Sequence, residues 1–339
     1  MITINSNESL KPYNTFGIDV CAHLFCEANT ENQLIEFLYD KELRRQPLLL
    51  LGGGSNILFT DNVDGLVLKI STKGKEIISQ DDESAIVCSA AGESWDEFVA
   101  WTLEEGLAGL ENLSLIPGNV GSSPIQNIGA YGVELKDSLK EVEIIHLADG
   151  KREVLNNEEC RFGYRDSIFK NELKGKVIIL SVNFQLNKNP DLHLAYGAIS
   201  RELAGIGIKH PTPCDVREAV CRIRRSKLPD PAILGNAGSF FKNPTVSNDV
   251  FTMLSRKFVG ISAYLQENGT YKLAAGWLIE QCGWKGARRG EAGVHETQAL
   301  VLVNYGNATG NQLLALAAEI KESVLRKFGI ELETEVNIR

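Results

Sequence analysis

The chain has 339 residues, 43% of them hydrophobic and 23% charged, with a net charge of −9. That length bounds two or three domains and is enough to bury a core without metal or disulfide staples. The acidic balance argues against a general nucleic-acid or anionic-membrane surface, since both need a basic face, and no apolar run reaches membrane-spanning length.

Residues 1–7 carry no basic segment followed by an apolar stretch, so no secretory signal is expected. Thr30 with Gln33 forms a capping-box pattern ahead of Leu34, Phe37 and Leu38, which predicts a helix. Strands are predicted over 48–51, 66–70 and 86–90. Ser94 with Glu97 predicts a second helix carrying Phe98 and Trp101 and ending at Gly106. Strand-like runs come next at 142–146 and 177–184, then a polar, turn-like stretch at 187–191. Two prolines within 209–213 mark a boundary. Asp215 with Glu218 reads as the cap of a helix carrying Val216, Ala219, Val220 and Ile223, and a turn-rich region covers 229–238. After a strand at 299–303, Thr309 with Gln312 opens a last helix, in which Leu313, Leu316, Ala317, Ile320, Val324 and Phe328 recur at helical spacing before Gly329. Glu331, Glu333 and Glu335 alternate with Leu332, Thr334, Val336 and Ile338, the period of a strand with three carboxylates on one face. Helices and strands mixed along the whole length give an α+β or α/β class. The cysteines (Cys21, Cys26, Cys88, Cys160, Cys214, Cys221 and Cys282) are odd in number and form no CxxC, and the histidines are scattered. Reduced thiols in a cytoplasmic protein are expected, with neither a disulfide framework nor a metal site.

Two glycine-rich segments stand out. The strand at 48–51 runs into Gly52, Gly53, Gly54, Ser55 and Asn56, a turn whose backbone can approach a phosphate because no Cβ blocks it. It does not fit the common dinucleotide fingerprint: Ile57 stands where a third glycine is needed, and Ile57, Leu58 and Phe59 read as strand rather than helix. A plain tight turn is the other reading. The second segment, Ile116-Pro117-Gly118-Asn119-Val120-Gly121-Ser122-Ser123-Pro124-Ile125-Gln126-Asn127-Ile128-Gly129-Ala130-Tyr131-Gly132, has no amphipathic period and cannot build a core alone. Its interleaved Ile, Val and Tyr argue against disorder. Its N–H groups and serine hydroxyls suit a pyrophosphate, and its Tyr and Ile side chains a flat ring system.

This second segment resembles the flavin-binding signature of the UDP-N-acetylenolpyruvoylglucosamine reductases. The resemblance extends to 11–17 (KPYNTFG), 160–169 (CRFGYRDSIF), 235–244 (GNAGSFFKNP) and 272–279 (KLAAGWLI), in the family's order. It implies an α+β fold of the vanillyl-alcohol-oxidase type, with two lobes holding FAD (1–70 and 71–214), a substrate-binding domain (215–329) and a C-terminal strand returning to the active site (330–339). The implied activity is NADPH-dependent, FAD-mediated reduction of UDP-N-acetylglucosamine enolpyruvate in peptidoglycan precursor synthesis. The flavin is expected to be non-covalent, because no His or Cys lies in either glycine-rich segment to tether it. Small molecules, the UDP-sugar and NADPH, are the expected partners; no nucleic acid, membrane or obligate protein partner is. A flavin oxidase on the same fold and a catalytically dead nucleotide-sugar binder are the alternatives.

The resemblance assigns cofactor contacts to Gly52, Gly53, Gly54, Ser55, Asn56, Ile116, Pro117, Gly118, Gly121, Ser122, Ser123, Gly129 and Tyr131. It assigns catalysis to Arg165, as the fork that holds the substrate carboxylate; to Ser239, as proton donor; and to Glu335, as a protonated partner of the developing enolate. Read by residue type alone, these are a surface Arg beside Asp166, a turn hydroxyl and a solvated carboxylate. Substrate contacts fall on Tyr164, Lys227, Asn243, Tyr264, Lys272 and Gln298, and on Tyr196, which marks the longer form of the family with a tyrosine loop. Arg222, Arg224 and Arg225 end a predicted helix, where cations offset the helix dipole, and Lys227 lies beyond it. Thr334 and Asn337 depart from the family, which commonly has proline and arginine there.

Overall fold

A computed structural model describes residues 2–339. By their contacts these form two compact units. The first comprises residues up to Glu8 with Cys21–Gly54 and Val63–Ser226; the second comprises Ser9–Val20, Ser55–Asn62 and Lys227–Arg339.

Two sheets build the first unit. In the four-stranded one, Cys21–Ala28 and Leu48–Leu51 both run parallel to Val63–Ile70, which lies between them. Leu66, Val67 and Leu68 are all fully buried, as a parallel strand covered on both faces requires. The helix Glu31–Tyr39 opens with the expected Thr30–Gln33 box and buries Leu34, Phe37 and Leu38. The second sheet is five-stranded and antiparallel, in the order Arg152–Asn156, Leu139–His146, Val177–Asn187, Ser84–Ala90, Lys75–Gln80. Val177–Asn187 is buried throughout its first four residues and then alternates: Val182, Phe184 and Leu186 are buried, while Gln185 and Asn187 are exposed. The helix Trp95–Glu104 sets Trp95 and Phe98 against Phe184, with ring centroids 6.0 and 5.1 Å away.

Two caps differ from expectation. The Ser94 side chain makes no cap bond; instead the Trp95 N–H donates to the Gly118 carbonyl (3.0 Å), so the glycine-rich segment itself satisfies this helix start. The helix Pro213–Lys227 is capped three residues earlier than the Asp215–Glu218 pattern suggests. Thr212 and Asp215 exchange bonds, the Thr212 N–H to Oδ2 (2.7 Å) and the Asp215 N–H to Oγ1 (3.3 Å), with Pro213 at the favoured first position. The helix also runs through Lys227, making that residue its last rather than one beyond it.

In the second unit, Gly235–Ser239, Val301–Asn304, Ala292–Val294 and Arg288–Arg289 form a sheet in that order. The helix Gly310–Phe328 starts at the expected Thr309–Gln312 box, buries its apolar stripe and ends at Gly329 (φ +70°). Early segments belong here. A Cβ on Gly235 would stand 2.3 Å from the Phe16 carbonyl oxygen, and one on Gly310 1.7 Å from that of Phe59, so both glycines let backbone meet backbone. The Asn304 Nδ2 also donates to the Phe16 carbonyl (2.9 Å). The strand expected over 330–339 is broken, because its pairing partner changes. Residues 333–335 bond to 240–242, through Lys242 N–H to Glu333 O (2.9 Å) and Glu335 N–H to Phe240 O (2.8 Å); Asn337–Ile338 then pair parallel to Ile57–Leu58. The alternation survives as burial, with Leu332 and Val336 inside and Glu331 and Glu333 exposed.

Candidate active site

In the first unit the two glycine-rich segments lie on each other. A Cβ on Gly53 would be 2.6 Å from Asn119 Oδ1 and 2.9 Å from Gly118 Cα, closer than real contacts allow. Beyond the Gly52–Gly54 turn the chain enters the short strand Ile57–Leu58 and not a helix, as the misfit to the dinucleotide fingerprint requires. The expected pyrophosphate donors are partly committed inside the protein. Ser122 Oγ donates to Asn119 O (2.7 Å), Ser123 Oγ to Val120 O (2.6 Å), and the Gly121 N–H to Ala91 O (2.9 Å). Gly121 is glycine for packing, since a Cβ there would sit 2.4 Å from that of Ala91. Gly53 is glycine for packing too, whereas a Cβ on Gly52 would meet only the Ser122 Cβ, at 3.8 Å, so the backbone stays approachable there. This fits the phosphate-bearing part of a dinucleotide cofactor.

The far end of the segment carries Arg165. The turn Gly163–Asp166 is stitched to it by Asn127 Nδ2 to Gly163 O (3.0 Å) and Ser167 Oγ to Ile125 O (2.7 Å). Arg165 adopts a left-handed φ of +53°, and its Nη2 donates to Gly129 O (2.8 Å). Its charge centre lies 5.6 Å from the Tyr164 ring centroid. The Asp166 carboxylate accepts from Asn171 Nδ2 (2.9 Å), so the simple Arg165–Asp166 surface pair is replaced by attachment to the glycine-rich segment.

Tyr131 closes the segment, again with positive φ (+52°), and its ring meets that of the exposed Tyr196 edge-on, 5.3 Å between centroids. Arg224 does not sit in solvent at its helix end. It is half-buried, its Nε donates to Leu115 O (3.2 Å), and it faces the Tyr131 phenol. Burial pushes the Arg224 guanidinium down and the Tyr131 phenol up, each partly offset by the other. One turn-pair earlier on the same helix, Arg217 grips Asp96 with both fork nitrogens (2.6 and 3.0 Å), and Asp96 Oδ1 also accepts the Leu115 N–H (2.5 Å). Burial raises the Asp96 carboxyl, but Arg217 and the Leu115 amide outweigh it and hold it below the usual range. Leu115, left-handed at φ +58°, is thus fixed through both of its backbone groups. Asp96, Arg217 and Arg224 are missed by sequence reasoning. The seven-residue spacing of the two arginines on one helix face is visible, but their partners, Asp96 and Leu115, are more than 100 residues away. Arg222 does keep the solvated role, paired with Glu218.

The second unit holds the remaining candidates. Ser239 ends its strand after Gly238 (φ +68°), opposite Val301. The next residue, Phe240, accepts the Glu335 N–H, and Asn56 Nδ2 reaches the Glu335 carbonyl (3.4 Å), so Asn56, Ser239 and Glu335 lie on adjoining backbone. Asn243 Oδ1 accepts the Ala275 N–H (2.9 Å), substituting for the cap that Ala274 cannot provide to the helix Ala275–Gln281. Gln298 Oε1 stands over the same helix start, 3.1 Å from where a Gly276 Cβ would be. Tyr264 and Lys272 face each other across a strand pair. The Lys227 carbonyl accepts from Thr297 Oγ1 (3.2 Å), the residue before Gln298. Tyr164, Arg165, Tyr196 and the glycine-rich wall therefore belong to the first unit, and Ser55, Asn56, the other substrate candidates, Ser239 and Glu335 to the second.

Among the described residues no helix is long and apolar enough to cross a membrane, and no three His, Cys, Asp or Glu side chains are grouped to hold a metal. A model of the FAD binding domain matches residues 22–156, which span both glycine-rich segments. A model of the UDP-N-acetylenolpyruvoylglucosamine reductase C-terminal domain matches residues 230–339. The UDP-N-acetylenolpyruvoylglucosamine reductase of Pseudomonas aeruginosa is 53% identical over 97% of each chain. That of Paraburkholderia phymatum is 52% identical over 96% of this chain and 95% of its own. The crystal structure of the Thermus caldophilus reductase matches with a TM-score of 0.68 at 26% identity, covering 100% of this chain and 98% of that one. A flavin-binding α+β fold, matches to both domain models and near-full-length likeness lead to one conclusion: the chain belongs to the UDP-N-acetylenolpyruvoylglucosamine reductase family and is an FAD-dependent oxidoreductase.

Proposed function

We infer that this chain reduces the enolpyruvyl group of UDP-N-acetylglucosamine enolpyruvate with NADPH, giving UDP-N-acetylmuramate for peptidoglycan, and that Arg165, Ser239 and Glu335 carry the chemistry. Bound FAD supplies the hydride relay between NADPH and the substrate. The Gly52–Gly54 turn and the glycine-rich segment packed on it would hold the cofactor's phosphates, with Tyr131 and Ile116 beside its ring system. Arg165 binds the substrate carboxylate with its planar fork and offsets negative charge that spreads into it. Ser239 gives a proton to the carbon next to that carboxylate. An alcohol serves there because the acceptor is strongly basic and the pocket is dry. Glu335, protonated, donates a hydrogen bond to the developing enolate. Lys227, Lys272, Asn243, Gln298 and Tyr264 bind the UDP-sugar, and Tyr196 covers it. The enzyme works in the cytoplasm on small molecules, without an obligate protein partner.

The observation that carries this reading is the placement of Ser239 and Glu335. They come from opposite ends of the segment Lys227–Arg339, yet adjoin through the Glu335–Phe240 bond of 2.8 Å. The test is spectroscopic. Purified protein should show flavin absorption, bleach with NADPH, and recover its colour on adding the enolpyruvate substrate without oxygen. Recovery with oxygen alone, and none with the substrate, would make it an oxidase.

A further inference from the structure

Asn112 lies in the short 3₁₀ turn Glu111–Leu113 and is 1% exposed. Its side-chain nitrogen donates twice, to the Tyr131 carbonyl (3.2 Å) and to the His193 carbonyl (3.0 Å). Tyr131 is the last side chain of the flavin cradle, and His193 belongs to the segment that leads to Tyr196. One amide therefore spans the two. A second link runs in parallel through the edge-on Tyr131–Tyr196 ring contact. The Asn112 side-chain oxygen is buried and has no hydrogen-bond partner among the described residues. Leaving a buried acceptor unmet is costly, so the residue is not optimised for stability. A leucine of similar shape would lose both donated bonds but would also remove the unmet oxygen.

We propose that Asn112 is a positioning residue for substrate binding: by bonding Tyr131 and His193 together it fixes where the Tyr196 segment stands beside the flavin cradle. The inference rests on the reading of Tyr196 as a substrate contact. Asn112 itself touches neither substrate nor cofactor. It acts through Tyr196, which needs a defined base from which to close over the UDP-sugar. The amide is the suitable group because it offers two donors from one nitrogen, whereas a carboxylate offers none and would repel both carbonyls.

The test compares Asn112→Leu and Asn112→Asp with the parent, alone and combined with Tyr196→Ala. Asn112→Leu is expected to keep its FAD and to bleach with NADPH at the parent rate. Its KM for UDP-N-acetylglucosamine enolpyruvate should rise about tenfold, the effect of losing two buried bonds, with a smaller change in kcat. Asn112→Asp should be at least as impaired, although it is the closer isostere. In the Tyr196→Ala background, Asn112→Leu should change KM by less than about twofold, since the segment it positions has lost its contact. An unchanged KM in Asn112→Leu overturns the proposal. So does an equal rise in KM with and without Tyr196, which would mean a general structural role, and so does FAD loss that parallels the rise, which would place Asn112's action on the cradle. A parent that turns over the substrate while Tyr196→Ala binds it normally would remove the Tyr196 reading instead, and is told apart because it needs no Asn112 variant.

Discussion

Ser239 and Arg165 each occupy a position where the backbone, not the side chain, sets the geometry. Gly238 (φ +68°) lies in an irregularity of the strand just before Ser239, which pairs again with Val301, and Arg165 holds its own left-handed φ of +53°. Such strain persists where the surroundings over-determine it. Ser239→Ala should retain FAD and bleach with NADPH at near the parent rate. Its reoxidation by the enolpyruvate substrate should fall at least about a hundredfold, the low end for loss of a positioned proton donor, and Ser239→Cys should recover part of the loss. Rapid-mixing absorbance separates the two steps; equal loss in both would mean that Ser239 acts on cofactor geometry. The thiols give a second prediction. Burial pushes Cys26 up to about 11 and Cys160 up to about 12, so neither holds thiolate at neutral pH. An alkylating reagent should label the exposed Cys214 in the native protein, and Cys26 and Cys160 only after denaturation, as read by mass spectrometry.

The elements that bear the site are locked by contacts between segments far apart in sequence. Gly53→Ala would force the first glycine-rich turn off Gly118 and Asn119 at a cost of about 1–3 kcal/mol. The FAD retained after gel filtration should drop accordingly, while far-ultraviolet dichroism stays near that of the parent. The helix Pro213–Lys227 is anchored to the cradle through Arg217 and Asp96. Because the folded Asp96 carboxyl titrates below its unfolded value, its contribution is present above the unfolded pKa and is lost as pH falls through the folded one. Asp96→Asn should therefore be less stable than the parent at neutral pH, by about 1.5–3 kcal/mol for a charge-assisted bond, and melt at a lower temperature. The two melting curves should converge in acid; a constant gap across the acid range would contradict the linkage. Element identity was legible where the periodicity was local. The Thr30–Gln33 and Thr309–Gln312 boxes and the Val177–Asn187 alternation are all present. The start of the helix Trp95–Glu104 is not legible, because Gly118 satisfies it in place of the expected Ser94 cap. Nor is the break in the last strand, which depends on segments near residues 57 and 241. The resemblance supplied the proposed catalytic residues, but the side chains that bond to the backbone at either end of the glycine-rich segment or clamp those that do, Asp96, Arg217, Arg224 and Asn112, have partners that no local pattern reveals.

At the scale of the whole chain, neither unit is contiguous. The backbone passes from one to the other at Glu8, Val20, Gly54, Asn62 and Ser226. Residues 227–339 made alone would lack Phe16 against Gly235, Phe59 against Gly310, and the Ile57–Leu58 partner of Asn337–Ile338. That fragment should show no cooperative thermal transition, whereas the full chain should; a cooperative melt of the fragment would show these early segments to be dispensable. The same interleaving bears on synthesis. Phe16 and Phe59 leave the ribosome long before Gly235 and Gly310, and at roughly 5–20 residues per second the wait for Phe59 is on the order of ten seconds or longer. Through that interval the first unit can complete its sheets while two apolar segments hang from it without their partners. A chaperone that shields nascent chains has its clearest substrate here in those two short loops, and the second unit becomes a folded body only when the last strand, Asn337–Ile338, has been released from the exit tunnel.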